Sequence, residues 1–173
     1  MNVEELKSVI VSQRRQMEEL FQQEEIIDRE IDLDNIRPLL SHPNILAILG
    51  VRRSGKSDFT WLLSRGKEFG YINFFDERLA FLRSDELSKI VQAFSELYSE
   101  VDYFVFDEIQ IVQGWERFVS RLRTSKRIVI TGSNSGLLSG NLQAASSLWI
   151  SYRRIDTSPR SVPHLLFSIF LEN

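Results

Sequence analysis

The chain has 173 residues, a hydrophobic content of 43%, a charged content of 26% and a formal net charge of −3, as expected of one globular domain with its own core. It contains no cysteine, which excludes disulfides, zinc ribbons, iron–sulfur clusters and thiol nucleophiles; the slight acidic balance gives no global field favouring nucleic acid or an anionic membrane. The opening MNVEELKSVIVSQRRQMEEL has no uninterrupted apolar stretch of the secretory kind, and no apolar run approaches the roughly 18–20 residues of a spanning helix, so a cytoplasmic setting without membrane contact is expected.

Residues 3–30 are rich in Glu, Gln, Arg and Leu. Leu6, Ile10, Met17, Leu20 and Phe21 fall at spacings that suit one amphipathic helix, with a bend allowed. LDNIRPLL then reads as a short second helix and SHPN as a turn, so residues 1–44 form a helical lead-in. Four short apolar runs follow: ILAIL at 45–49, YINFF at 71–75, DYFVF at 102–106 and RIVIT at 127–131. They lack alternation, the pattern of strands buried on both faces. Between them, Leu87, Ile90, Val91, Phe94, Leu97 and Tyr98 mark one helical stripe, and Trp115, Phe118, Val119 and Leu122 another. Strands alternating with helices predict βαβ crossovers, hence an α/β fold of three layers with a mainly parallel sheet, preceded by an N-terminal helix.

The first strand runs into GVRRSGKS, which satisfies G-x-x-x-x-G-K-[ST] in full. Glycines let the backbone curl so that successive N–H groups face a polyphosphate, and the helix starting near Lys56 adds its positive end. Gly50, Val51, Arg52, Arg53, Ser54, Gly55, Lys56, Ser57 and Asp58 are therefore the expected nucleotide-binding segment. Lys56 reaches the β and γ phosphates, and the Ser57 hydroxyl ligates Mg2+. Arg52 and Arg53 read as solvent-facing or paired with acidic groups, with contact to nucleic acid or a neighbouring subunit as the alternative.

YFVFDE, at 103–108, is an apolar strand that ends in two carboxylates. If its strand neighbours the first, Asp107 lies beside the phosphate loop and holds Mg2+ through water, while Glu108 polarises the water that attacks the γ-phosphate. An Asn-Lys-x-Asp guanine signature is absent, and the Asp-Glu pair suits a hydrolytic ATPase better than a small-molecule kinase. The strand before SNS delivers Thr131, Ser133 and Asn134 to the same sheet edge. A polar residue there can sense the γ-phosphate; Asn134 is preferred and Ser133 stands next, against a plain Ser/Asn turn. Asp76, Glu77 and Arg78 read as surface charges, with reach to the nucleotide edge as the alternative. His42 and His164 lack companions at ligand spacing and read as structural or surface residues.

The segments HPNILAILGVRRSGKS, YINFFDERL, YFVFDEIQIVQGWERFVSRL and IVITGSNSGLLSG together resemble the AAA-type P-loop ATPases of archaea and bacteria, often found with a C-terminal DUF4143 region. The likeness covers roughly residues 25–140, and DEIQ…GWE and TGSNS…LLSG are its more specific parts. It implies a P-loop NTPase core at 45–140 with a strand added between the phosphate-loop strand and the acidic strand. It also implies ATP and Mg2+ as ligands, the roles given above for Lys56, Ser57, Asp107 and Glu108, and Asn134 or Ser133 as sensor.

Residues 141–173 depart from that pattern. The Gly-Arg expected after LLSG is missing, so no arginine can be named for the γ-phosphate; Arg153 and Arg154 are near but do not match. Five of these 33 residues are charged, against 26% overall. LWISY can serve as a last strand, whereas VPHLLFSIFL has no helix cap and no obvious partner. A shift of reading frame near 142 that truncates the protein is favoured over a divergent natural tail. The expected function is Mg-ATP binding with hydrolysis driving a conformational change. The alternatives are an inactive remnant that only binds nucleotide, and a DNA-associated ATPase regulator. Expected partners are the nucleotide and either a second protein or another copy of the chain. Nucleic acid ranks last, because basic residues interleaved with aromatics are absent.

Overall fold

The computed structural model describes residues 1–23, 45–50, 56–64, 66–98, 101, 103–132 and 165–170. Helix α1, Val3–Gln23, takes up 21 residues of the expected lead-in. Its start is fixed by Asn2, whose Oδ1 accepts from Glu5 N at 2.8 Å while its own N–H donates to Glu5 Oε2 at 2.8 Å, a reciprocal cap that satisfies two otherwise orphaned donors. Residues 24–44, where the short second helix and the SHPN turn are expected, lie outside the described residues.

Strands β1 (Ile45–Gly50), β2 (Phe69–Asn73), β3 (Tyr103–Asp107), β4 (Arg127–Gly132) and β5 (Leu165–Phe170) form one sheet in the order β2-β3-β4-β1-β5. The first four are parallel, joined through α2 (Lys56–Ser64), α3 (Leu87–Leu97) and α4 (Trp115–Leu122). Side chains alternate across the sheet. Leu46, Ile48, Tyr71, Tyr103, Val105 and Val129 pack with Phe59 and Leu63 of α2. Ala47, Ile72, Phe104, Phe106, Ile128 and Ile130 pack on the other face against α3, α4 and the Leu6–Ile10 stretch of α1. The three layers expected from the alternation of strands and helices are those observed.

Two sequence expectations are corrected. β2 spans Phe69–Asn73 rather than 71–75. A Cβ at Gly70 would lie 2.7 Å from the Phe94 ring, so the glycine lets α3 approach the sheet from within a strand it would ordinarily weaken. The strand ends where Asn73 Oδ1 accepts from Phe75 N at 2.8 Å and turns the chain. The apolar run near the C-terminus, expected to lack an obvious partner, supplies β5, antiparallel to β1 with Ile45 opposite Phe170 and Gly50 opposite Leu165. It meets backbone groups of β1 that would otherwise form an open edge. LWISY falls outside the described residues.

The opposite edge, β2, is closed by side chains of α1. Buried Gln13 accepts from Asn73 N through Oε1 at 2.8 Å and donates through Nε2 to Asn73 O at 3.0 Å. Its amide thus takes the place of a neighbouring strand. Arg14 donates to Phe69 O at 3.0 Å and lies 5.0 Å from the Phe69 ring centroid. Of the three charges expected at the surface, Glu77 and Arg78 are exposed, but Asp76 is half-buried. Asp76 bridges Gln13 Nε2 at 2.9 Å and Arg78 Nη2 at 2.7 Å, and Arg78 first, then Gln13, hold its carboxyl well below the usual carboxylate range against the opposing effect of burial.

Asp76→Ala should therefore cost about 1 kcal/mol of stability at neutral pH. Because the native carboxyl titrates below its unfolded counterpart, its contribution is present above the unfolded value and lost as pH falls through the native one. Urea unfolding of parent and variant should show the gap narrowing toward about pH 3. A gap of constant size would mean the charge of Asp76 is not what holds α1 to this edge.

Candidate functional site

Strand parity assembles the site. Tyr71, Asp107 and Thr131 lie on three adjacent strands, at or near their carboxyl ends, with the same parity as the residues packed against α2. The first turn of α2 arrives there with Lys56 and Ser57. Asp107 is wholly buried, and each of its oxygens is met by hydroxyls. Ser57 Oγ donates to Oδ2 at 2.6 Å, Tyr71 Oη donates to the same oxygen at 2.8 Å, and Thr131 Oγ1 donates to Oδ1. Burial pushes the Asp107 carboxyl above its ordinary value, the three hydroxyls pull against that, and the charge of Glu108 adds to the rise. Burial and the adjacent carboxylate push the Tyr71 phenol well up, so it remains a donor.

Glu108 follows with φ 55° and ψ 39°, the left-handed region that non-glycine residues enter only at a cost. Its N–H donates to Thr131 Oγ1 at 3.1 Å, so one threonine secures both acidic residues. The backbone turn swings the Glu108 side chain out of the strand's alternation. Its Oε1 lies 3.4 Å from Lys56 Nζ and its Oε2 accepts from Gln110 Nε2 at 2.5 Å. The Lys56 side chain is 3% exposed and that of Glu108 22%, so this ion pair is largely shielded from water.

A family model described as AAA domain matches residues 42–162. The chain belongs to this AAA domain family. The family places it among nucleotide-binding, ATPase-type domains. Among curated proteins it is 40% identical over 126 residues to an uncharacterized protein of Methanocaldococcus jannaschii, covering 70% of this chain and 27% of that protein. It is 35% identical over 152 residues to an uncharacterized protein of Haemophilus influenzae, covering 82% of this chain and 38% of that one. The chain thus spans well under half the length of these relatives. No solved structure matches it significantly. Among the described residues no helix is long and apolar enough to cross a membrane.

Within this AAA domain, four residues expected at the site come together: Lys56, Ser57, Asp107 and Glu108. Gly50 ends β1, and Asp58 is exposed in the first turn of α2. Val51, Arg52, Arg53, Ser54, Gly55, Ser133 and Asn134 lie outside the described residues, as do His42 and His164. Strand β4 lies between β1 and the acidic strand β3. That is the added strand implied by the family resemblance, and Ser57 spans the gap by leading α2 over the sheet edge to Asp107. Sequence reasoning missed Tyr71 and passed over Thr131 for its neighbours. Both were findable from strand parity, since each sits an even number of residues from side chains that face α2.

Tyr71→Phe removes one of two hydroxyls on Asp107 Oδ2 and should lower unfolding free energy by about 0.5–1.5 kcal/mol. Chemical denaturation of the nucleotide-free protein would check this. Unchanged stability would mean that the contact contributes nothing to holding the carboxylate.

Proposed function

We propose that this domain binds Mg-ATP and hydrolyses it to ADP and phosphate, driving a conformational change in an attached region or partner. The observation that carries the proposal is the meeting of Lys56, Ser57, Asp107 and Glu108 at the carboxyl end of a parallel sheet, with Ser57 and Asp107 2.6 Å apart and Lys56 and Glu108 3.4 Å apart. Ligands of α/β sheets bind at such carboxyl edges.

The donor set fits magnesium, since Ser57 Oγ and the Asp107 carboxylate are adjacent hard oxygens and Mg2+ takes few protein ligands beside phosphate and water. Ser57 and, through water, Asp107 would hold the ion, which would neutralise phosphate charge. Tyr71 and Thr131 keep Asp107 aimed. Lys56 binds the phosphates, and the N-terminus of α2 adds its partial positive charge. Glu108, held on Thr131 through its backbone, accepts a proton from the attacking water. In the nucleotide-free arrangement Lys56 and Glu108 are each other's counter-charge. Phosphate replaces Glu108 beside Lys56 and so releases the base when substrate arrives.

A thermal-shift titration tests binding: saturating Mg-ATP at a hundred times Kd should stabilise the parent by about 2.7 kcal/mol, and Lys56→Ala should lose that rise. A rise that persists in Lys56→Ala would remove the lysine from the phosphate site. Glu108→Gln should keep the rise while phosphate release falls about 10²- to 10⁴-fold. Hydrolysis at the parent rate would show that Glu108 is not the base.

A further inference from the structure

Gln110 stands in the short turn Ile109–Ile111 directly after the two carboxylates. Its placement is rigid: Ile109 is fully buried, Ile111 N donates to Glu108 O at 3.2 Å, and Val112 N donates to Ile109 O at 3.0 Å. One end of its amide is spent, Nε2 donating to Glu108 Oε2 at 2.5 Å. The other end, Oε1, is buried and has no hydrogen-bond partner among the described residues. A buried acceptor without a donor is unfavourable and calls for a functional or solvent partner. Here it is carried on the same carbon as the donor that grips Glu108.

We propose that Gln110 is a further catalytic residue of the hydrolysis assigned above, orienting both Glu108 and the attacking water. This rests on that assignment. Once phosphate takes Lys56, Glu108 loses its cationic partner, and Gln110 Nε2 becomes the group that fixes its carboxylate. The water then donates one hydrogen to Glu108 and the other to Gln110 Oε1, which leaves a lone pair directed at the γ-phosphorus. Its oxygen bonds to phosphorus as the bond to the β,γ-bridging oxygen breaks, that electron pair leaving with ADP. The proton taken by Glu108 passes to the released phosphate. Two acceptors locate the water more sharply than one, and positioning of this kind is worth orders of magnitude in rate.

The experiment compares the parent, Glu108→Gln, Gln110→Met and Gln110→Glu by steady-state phosphate release and ATP-induced thermal shift. Gln110→Met keeps the length and loses both polar ends; Gln110→Glu keeps acceptor oxygens and loses the donor. Each should lower kcat roughly 10- to 100-fold, with KM within about twofold and the thermal shift as in the parent. A kcat at or above the parent's overturns the proposal, the latter marking Gln110 as a lock on Glu108 instead. So does a fall in kcat matched by a lost thermal shift, which marks a purely structural role. If the parent releases no more phosphate than Glu108→Gln, hydrolysis itself falls and the role of Gln110 falls with it. A parent that turns over beside an equally fast Gln110→Met removes the glutamine alone.

Discussion

A carboxylate taken wholly out of water is tolerated only where its oxygens are matched by donors, and the carboxyl edge of this sheet is arranged around meeting that demand at Asp107. Its three hydroxyl partners come from three different places: Tyr71 on β2, Thr131 on β4 and Ser57 at the start of α2. Each contact fixes a relation between elements. Tyr71 and Thr131 fix β2 and β4 about the acidic strand, and Ser57 fixes α2 over the edge although β4 separates β1 from β3. A neutral residue at 107 would be easier to bury. The partners of Asp107 here are hydroxyls, which satisfy the carboxylate oxygens without adding a neutralising charge.

The same network reaches the outer surface by a short route. Asn73 stands opposite Asp107 in the parallel register, and Phe74 N donates to Asp107 O at 2.9 Å. Gln13 of α1 grips both backbone groups of Asn73 and ties them to Asp76. The helix that closes the β2 edge is thus bonded to the residue paired with Asp107. Closing the edge also removes a row of unpaired backbone groups that would invite pairing with other chains.

The parallel strands and the helices between them are legible in the sequence because burial on both faces leaves unmistakable apolar runs, and α3 and α4 keep their apolar stripes. Lys56, Ser57, Asp107 and Glu108 are legible because a complete G-x-x-x-x-G-K-[ST] pattern and an apolar run ending in two carboxylates can be read without the fold. What escapes is set by tertiary contact. The start of β2 is hidden by Gly70, whose reason lies in Phe94. The pairing of β5 depends on which edge of β1 is left open, and no local pattern records that. Tyr71 reads as one more aromatic of an apolar run until the parity of its strand is known.

The left-handed backbone at Glu108 ties these observations to chemistry. Had the chain continued extended past Asp107, the next side chain would alternate to the face that holds Phe104 and Phe106, away from α2 and Lys56. The positive φ breaks that alternation and returns Glu108 to the side of the sheet where Asp107 already sits. A strained residue persists only if its surroundings hold it, and here Thr131 takes its N–H, Lys56 and Gln110 take its carboxylate, and the turn closes on its carbonyl. Two adjacent carboxylates thereby acquire different environments from one strand end. One is sealed among hydroxyls; the other is half-open beside a lysine and an amide. Under the proposed function one carboxylate holds the cation and the other handles the proton, and a single backbone turn creates that division.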